Sequence, residues 1–239
     1  MEQSVIGRGA PLIRVLLVDD HRLVAEAIGR VLSASDDIVV LGMAMSVAAL
    51  AGFKERPDVI LMDYMLPDGT GAEATRIAKA RWPRVRVVML TSIDAGETIV
   101  ETVQAGADGY LTKDRALAEV VPAVRSVNAG EILLPPEIIG EIAKRLEDPH
   151  HESPVQALTG RELEVLRHLG VGASGRTIAA ELKLSTETVR THVQAIRRKL
   201  GANSRLEAVA IALRRRLIEP PSHPAMTKTR SAAVSRAHQ

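Results

Sequence analysis

The 239-residue sequence has no cysteine, and aromatic residues make up only 2% of it. Without cysteine, the chain has no disulfide bonds, no thiolate chemistry and no cysteine-ligated zinc site. With so few aromatic residues, the core has to be aliphatic. No apolar run approaches the roughly 18 residues that a membrane-spanning helix needs, and residues 1–11 lack the apolar centre of a secretory signal peptide. These absences predict a cytoplasmic protein without a membrane partner.

The acidic and basic residues are concentrated in different parts of the chain. Residues 1–154 carry 16 Lys and Arg against 23 Asp and Glu, whereas residues 155–219 carry 12 against 6. Such asymmetry indicates two domains, of which the second meets a polyanion. Residues 219–239 combine proline, small residues and scattered Lys and Arg without an apolar period, so they are predicted to be a disordered basic tail.

Short apolar runs alternate with helical patterns in the first half of the chain. The predicted strands are residues 13–18, 38–41, 59–62, 85–90 and 109–112. A helix is predicted directly after the first strand, and the others are predicted at residues 47–54, 72–81, 95–105 and 117–128. This alternation predicts an α/β fold, a five-stranded doubly wound parallel sheet with helices on both faces.

Polar residues follow the predicted strands where each strand ends. Asp19 and Asp20 follow the first strand, Asp63 ends the third, and Thr91 and Lys113 end the fourth and fifth. The carboxyl ends of parallel strands meet at one edge, where ligands bind. Three carboxylates repel one another unless a cation such as Mg²⁺ joins them. Three carboxylates with a lysine and a threonine at one edge suit phosphoryl transfer to an aspartate. Considered alone, Asp63 would be interpreted as an acidic loop residue that follows a strand.

Four segments at these strand ends are specific when taken together: VDDH (18–21), MDYMLPDG (62–69), MLTS (89–92) and GADGYLTK (106–113). Through them, residues 12–130 resemble the flavodoxin-like receiver domain of two-component response regulators. The resemblance implies that a sensor histidine kinase phosphorylates Asp63. It implies a Mg²⁺ site formed by Asp19, Asp20, Asp63 and the main-chain carbonyl of Met65.

The same resemblance assigns three further roles. Thr91 would supply the switch hydroxyl, Tyr110 the aromatic ring that follows it inward, and Lys113 the positive charge beside the phosphoryl group. Without the resemblance, Tyr110 is equally well interpreted as a half-buried aromatic residue at the edge of the sheet.

Residues 131–154 are predicted to be a linker with one short amphipathic helix over 138–146. The polar end of this linker contains His150 and His151. Two adjacent histidines without further clustered ligands are interpreted as solvated side chains rather than as a metal site.

The basic second half begins with a helix-start signal. Thr159 and Glu162 form a Thr-x-x-Glu capping box in front of an apolar helical period. Ser185 is the predicted N-cap of a later helix. The remaining helices are predicted at about 176–182, 186–200 and 204–217. This pattern predicts a small all-α four-helix domain over residues 155–218 that contains a helix-turn-helix.

The predicted helix 186–200 has two chemically different faces. Its core face has apolar residues at helical spacing: Val189, Val193, Ile196 and Leu200. The opposite face is rich in Arg, Thr and Gln, which contact base edges and phosphates in protein–DNA complexes. A solvated charged face is the alternative interpretation. The positive charge of this half and the helix-turn-helix spacing favour DNA binding.

The segments LTGRELEVL (158–166), LSTETVRTH (184–192) and IRRKLG (196–201) carry a second resemblance. Through them, residues 158–218 are similar to the LuxR-type DNA-binding domain. The resemblance implies base contacts from Arg190, Thr191 and Gln194, phosphate contacts from Thr188, Arg198 and Lys199, and dimerisation on DNA through the last helix.

Together, the two halves resemble a response regulator of the NarL/FixJ subfamily. Such a protein is a transcription factor that accepts a phosphoryl group and then binds double-stranded promoter DNA as a homodimer. It is not an enzyme beyond its own Mg²⁺-dependent phosphotransfer. One alternative is a DNA-binding regulator whose receiver is a phosphorylation-independent dimerisation module. A Mg²⁺-dependent phosphatase is disfavoured, because Met65 stands where such enzymes commonly need a second aspartate.

Overall fold

The computed structural model describes residues 12–91, 96–134, 142–145 and 157–219. The first part of the chain forms an α/β domain. Its elements are β1 (Ile13–Val18), α1 (Arg22–Ser33), β2 (Ile38–Ala44), α2 (Val47–Gly52), β3 (Val59–Asp63), β4 (Met65–Leu66), β5 (Gly69–Thr70), α3 (Gly71–Arg81), β6 (Arg86–Thr91), α4 (Gly96–Ala105), β7 (Gly109–Thr112) and α5 (Lys113–Ala129).

Five strands form one parallel sheet in the order β2-β1-β3-β6-β7. The predicted fold class is therefore confirmed. Every residue of β3 is buried, since this central strand is covered on both faces. One apolar cluster packs α1 and α5 against one face of the sheet. Another cluster packs α2 and α3 against the opposite face.

Several details of the α/β domain differ from the sequence predictions, and β6 lies one residue later and α2 ends two residues earlier than predicted. Strand β2 continues to Ala44, and α5 begins at Lys113 rather than at residue 117. The chain also forms an antiparallel pair of two-residue strands, β4 and β5, directly after Asp63. Strands of this length carry no apolar alternation, so periodicity could not reveal them.

The second part of the chain forms a helical domain. It contains α6 (Gly160–Gly170), α7 (Gly175–Glu181), α8 (Thr186–Leu200) and α9 (Arg205–Arg214). The capping box of Thr159 and Glu162 is present at the start of α6, and Ser185 caps α8. All four apolar residues predicted to form the core face of α8 are buried. Helix α8 ends at Leu200 and is followed by Gly201, whose positive φ of 71° suits a glycine C-cap.

The two domains pack against each other through α4 and α9. Val103 of α4 is fully buried in the apolar cluster that forms the core of the helical domain. Asn203, just before α9, donates a side-chain hydrogen bond to the Gln104 carbonyl at 2.9 Å. Arg190 and Gln194 of α8 line one cleft with Asp58 and Arg86, at the amino ends of β3 and β6, so α8 lies at the edge of the sheet opposite Asp63.

Several predicted features lie at or beyond the limits of the described residues. Residues 142–145 of the predicted linker helix are helical. His150, His151 and the tail from Pro220 lie outside the described residues, so the predicted domain and linker limits remain predictions. None of the described helices is both long enough and apolar enough to cross a membrane.

Candidate functional site

The carboxyl edge of the sheet brings the predicted acidic residues together. Asp63 is the last residue of β3, and Asp19 directly follows β1, the neighbouring strand. Asp19 is 2% exposed and Asp63 is 4% exposed. Ligand atoms of Asp19, Asp20, His21 and Asp63 lie within 4.8 Å of one another. Three carboxylates thus share one small, largely buried pocket.

Lys113 closes this pocket from the start of α5. Its Nζ lies 2.8 Å from Asp63 Oδ2 and 3.1 Å from Asp19 Oδ2. Burial raises the pKa of Asp63 above its ordinary value, although the hydrogen bond from Lys113 opposes this. Burial alone would lower the pKa of Lys113, but its bonds to Asp63 and Asp19 raise it. Lys113 therefore remains a cation beside the strand-end carboxylates.

The donor set fits a hard divalent cation. Asp19 Oδ2 and Asp20 Oδ1 are buried without a well-aligned hydrogen-bond donor, even though Lys113 and His21 lie within ion-pair distance of them. Buried carboxylate oxygens without donors are costly, and Mg²⁺ takes such oxygens as ligands. Met65, whose main-chain carbonyl is a predicted ligand, lies two residues beyond Asp63 with its side chain exposed.

His21 belongs to this pocket, although sequence analysis gave it no role. Its Nδ1 lies 2.8 Å from Asp20 Oδ1, and its main-chain NH donates to Asp19 Oδ1 at 2.8 Å. The sequence feature that could have identified His21 is its position directly after Asp19 and Asp20. Its main-chain bond fixes the orientation of the Asp19 carboxylate.

Tyr64 connects Asp63 to α4, a link that sequence analysis also missed. The main-chain NH of Tyr64 donates to Asp63 Oδ1 at 2.8 Å. The Tyr64 hydroxyl donates to Glu101 Oε2, in α4, at 3.0 Å. A movement of the Asp63 carboxylate can therefore displace α4 through Tyr64.

The two predicted switch residues lie on neighbouring strands. Thr91 is the last residue of β6, and its side chain lies outside the described part of the structure. Tyr110, in β7, is half-buried, and its hydroxyl donates to the Ile99 carbonyl at 2.9 Å and contacts Thr102 Oγ1. Burial raises the pKa of Tyr110 above its ordinary value. The ring packs against the core of the helical domain as well as against the sheet.

Most of the predicted DNA-contacting residues lie on the outer face of α8. Thr191, Gln194 and Arg198 are exposed. Arg190 pairs with Glu187 at 3.1 Å. Thr188 lies in the first turn, where its hydroxyl is 2.8 Å from that of Ser185. The helix begins at a well-formed N-cap and carries this polar face along its length.

Lys199 has a different environment from the other predicted phosphate contacts. Its Nζ lies 2.7 Å from Glu162 Oε2, and the two side chains are only 14% and 7% exposed. The hydrogen bonds that Glu162 accepts from Lys199 and from the Thr159 main chain lower its pKa, although burial opposes this. Lys199 therefore joins α8 to the start of α6.

The helix-turn-helix is supported by a cap that sequence analysis missed. Ser174 accepts a hydrogen bond from the Thr177 main-chain NH at 3.0 Å and so caps α7. A serine directly before a predicted helix is an N-cap signal, although the predicted start of this helix lay one residue later.

Comparisons with known proteins agree with both halves of the structure. Residues 15–125 match the family model of the response regulator receiver domain, and residues 156–212 match that of bacterial regulatory proteins of the luxR family. The chain is 37% identical over 214 residues to the transcriptional regulatory protein YxjL of Bacillus subtilis (strain 168), covering 87% of this chain and 98% of that protein.

Two further similarities cover either most of the chain or just over half of it. The response regulator protein VraR of Staphylococcus aureus (strain NCTC 8325 / PS 47) is 35% identical over 209 residues, covering 87% of this chain and 99% of VraR. A crystal structure of a LuxR-family two-component response regulator from Aurantimonas sp. SI85-9A1 is 31% identical, with a TM-score of 0.51. That alignment covers 56% of this chain and 97% of the other.

Proposed function

Because this chain belongs to the response regulators that join a receiver domain to a LuxR-type DNA-binding domain, we propose that it is a phosphorylation-controlled transcription factor. In this proposal, a sensor histidine kinase phosphorylates Asp63 in the cytoplasm, and the phosphorylated chain binds promoter DNA as a homodimer. The position of Asp63 carries the proposal, since this buried strand-end carboxylate lies 2.8 Å from Lys113 and beside Asp19.

Asp63 is the nucleophile of the proposed transfer. A P–O bond forms at a carboxylate oxygen of Asp63 while the P–N bond to the kinase histidine breaks, and the imidazole keeps the electron pair. Lys113 favours the ionised form of Asp63, which is the form that attacks. The same ammonium is placed to bind an oxygen of the transferred group. Asp19, Asp20 and Asp63, with the Met65 carbonyl, would hold Mg²⁺, and the ion would neutralise charge on the phosphoryl oxygens.

The contacts of α4 provide a route from Asp63 to the helical domain. Tyr64 joins Asp63 to Glu101 in α4, and Val103 in the same helix is buried against the core of the helical domain. Phosphorylation changes the Asp63 carboxylate that holds Tyr64, and Thr91 and Tyr110 rearrange with it. A shift of α4 then loosens its packing against α9 and frees the helical domain.

The freed α8 reads DNA in the major groove. Arg190, Thr191 and Gln194 meet base edges, while Thr188, Arg198 and Lys199 lie near phosphates. While the domains are packed together, Arg190 and Gln194 line a cleft against the α/β domain. Release of the domains therefore removes the α/β domain from beside Arg190 and Gln194.

Light scattering and DNA binding test this proposal together. Molar mass and affinity for a promoter fragment are measured with Mg²⁺ present, before and after addition of beryllofluoride, a phosphoryl mimic. We expect the wild type and Asp36→Asn, an exposed control, to dimerise and bind DNA more tightly, and Asp63→Asn to do neither. Equal mass and equal affinity in every sample would contradict phosphorylation control and favour the phosphorylation-independent dimerisation module.

A further inference from the structure

A cleft of about 240 Å³ lies between the two domains, at the amino edge of the sheet and away from Asp63. The α/β domain lines it with four cationic side chains: Arg56, Lys79, Arg84 and Arg86. Asp58 also lines the cleft, and its Oδ2 accepts a hydrogen bond from the main chain of Arg14 at 3.0 Å. One carboxylate thus faces four cations on this wall.

The helical domain adds three more cations to the cleft: Arg190, Arg197 and Arg205. Asn128 and Gln194 supply uncharged polar groups between the cations. The cleft therefore combines guanidinium and amide donors from both domains. Arginine side chains commonly bind phosphate through paired N–H donors.

A buried carboxylate neutralises part of this charge. Asp108 is 4% exposed and lies 2.5 Å from Lys79 Nζ and 2.8 Å from Arg86 Nη1. Although burial by itself raises the pKa of Asp108, Lys79 and Arg86 lower it to about 2. Asp108 is therefore ionised, and its charge is shared between two cations.

Arg197 and Arg205 have no comparable partner. Arg197 donates to the carbonyls of Ala202 and Asn203, and Arg205 donates to the Gly130 carbonyl at 2.5 Å. Among the described residues, no carboxylate lies within ion-pair distance of either guanidinium. Burial, together with the positive charge of Arg86, lowers the pKa of Arg205 to about 10. Two poorly solvated cations therefore face the cleft, and Asp108 and Glu207 act on them only from beyond ion-pair distance.

We propose that this interdomain cleft binds a compact oligophosphate, either free or as the phosphate chain of a nucleotide. The number of cations exceeds what a single monoanion would neutralise, so a multiply charged ligand fits better than chloride or a carboxylate. The volume is below that of typical drug-sized pockets, which suits a chain of two or three phosphates. Contacts from both walls would hold the domains together.

A regulatory consequence follows, and it rests on the proposed DNA-binding function. Arg190 and Gln194 lie on the face of α8 that would meet DNA, and both line the cleft, as does Arg197 of the same helix. A ligand bound there occupies the same donors and bridges α8 to the α/β domain. Oligophosphate should therefore lower the affinity of the chain for promoter DNA.

Calorimetric titration of the full chain with sodium tripolyphosphate tests the site itself. The buffer contains 150 mM NaCl and EDTA, so that neither bulk ionic strength nor a metal complex accounts for binding. We expect one site per chain and at least a tenfold loss of affinity in the double variant Arg56→Gln/Arg84→Gln. Both arginines are exposed at the rim, so this variant should keep its fold. ATP, titrated in the same way, should bind at the same site and lose affinity in the same variant.

The double variant Arg30→Gln/Arg214→Gln is the matched control, because both residues are exposed arginines outside the cleft lining. It should bind tripolyphosphate like the wild type. Any of three results would contradict the proposed site. They are the absence of saturable heat up to 5 mM tripolyphosphate, an equal loss of tripolyphosphate affinity in the control variant, and an affinity no higher than that for sulfate at equal ionic strength.

Competition is measured separately by titrating promoter DNA with and without tripolyphosphate at constant ionic strength. A loss of DNA affinity in the wild type that is absent in Arg56→Gln/Arg84→Gln supports the regulatory consequence. Unchanged DNA affinity overturns that consequence while the binding site stands. If the chain binds tripolyphosphate but binds no promoter DNA with or without beryllofluoride, the proposed function is refuted while the binding site stands.

Discussion

The guanidinium of Arg205, in α9, donates a hydrogen bond to the main-chain carbonyl of Gly130, the C-cap residue that follows α5. The two atoms are 2.5 Å apart and belong to different domains. Gly130 has a positive φ of 86°, and a Cβ at this position would overlap the Arg205 guanidinium. The end of α5 is thus shaped to accept a side chain from the helical domain.

Gly130→Ala should open the contact between the domains. The added Cβ displaces Arg205, and the positive φ costs about 1 kcal/mol in addition. Gly172→Ala is the matched control, because Gly172 has a φ of 81° and nothing within 4 Å of an added Cβ. Small-angle scattering should show a larger radius of gyration for Gly130→Ala only. Equal radii for the two variants would show that Arg205 does not hold the domains together.

Asp108→Asn should destabilise the chain by about 3–5 kcal/mol, because it leaves Lys79 and Arg86 without their shared, buried counter-ion. Urea unfolding at pH 7 measures this loss. Asp36→Asn, at an exposed aspartate without a structural partner among the described residues, should change the unfolding free energy by less than about 0.5 kcal/mol.

The stabilisation from Asp108 should also depend on pH. Its pKa of about 2 in the folded chain lies below the value of about 3.9 expected when unfolded. The folded state therefore binds fewer protons between these values, and the stabilisation is complete above about pH 4 and lost as pH falls towards 2. The difference between wild type and Asp108→Asn should shrink across that interval. A constant difference from pH 5 to pH 2 would argue against an ionised Asp108.

Arg198 and Lys199 are adjacent in sequence but should respond differently to replacement by glutamine. Arg198 is exposed, so Arg198→Gln should weaken DNA binding and reduce the salt dependence by about one counter-ion without changing stability. Lys199→Gln leaves the buried Glu162 carboxylate unpaired and should mainly lower the stability of the helical domain. Salt-dependent DNA titrations and thermal unfolding of both variants separate the two effects. The assignment fails if Lys199→Gln unfolds like the wild type.

Mg²⁺ should stabilise the folded chain. At a concentration ten times its Kd, one bound ion adds about 1.4 kcal/mol to the free energy of unfolding. Asp19→Asn should abolish this increase, and without Mg²⁺ it should be no less stable than the wild type, because one of three repelling carboxylates is gone. Asp36→Asn should respond to Mg²⁺ normally. Thermal unfolding across a Mg²⁺ titration measures all three, and an equal response in Asp19→Asn would refute the assigned ligand set.

The sequence by itself determined the local elements and the approximate position of the acidic pocket. Buried parallel strands are continuous apolar runs, so β1 and β7 were predicted with the bounds that the structure shows. The core face of α8 and its N-cap followed from helical spacing and from Ser185. Asp19 and Asp63 were expected to meet because the carboxyl ends of parallel strands lie at the same edge of the sheet.

Only the tertiary structure decided which residues meet across longer separations. Arg205 and Gly130 are 75 residues apart in sequence, and Lys199 and Glu162 are 37 apart. Periodicity describes which face of an element is buried, but it contains no information about which other element covers that face. The Arg205 contact and the basic cleft exist because α9 packs on α4, and this docking depends on side-chain shape over the whole interface rather than on any local pattern.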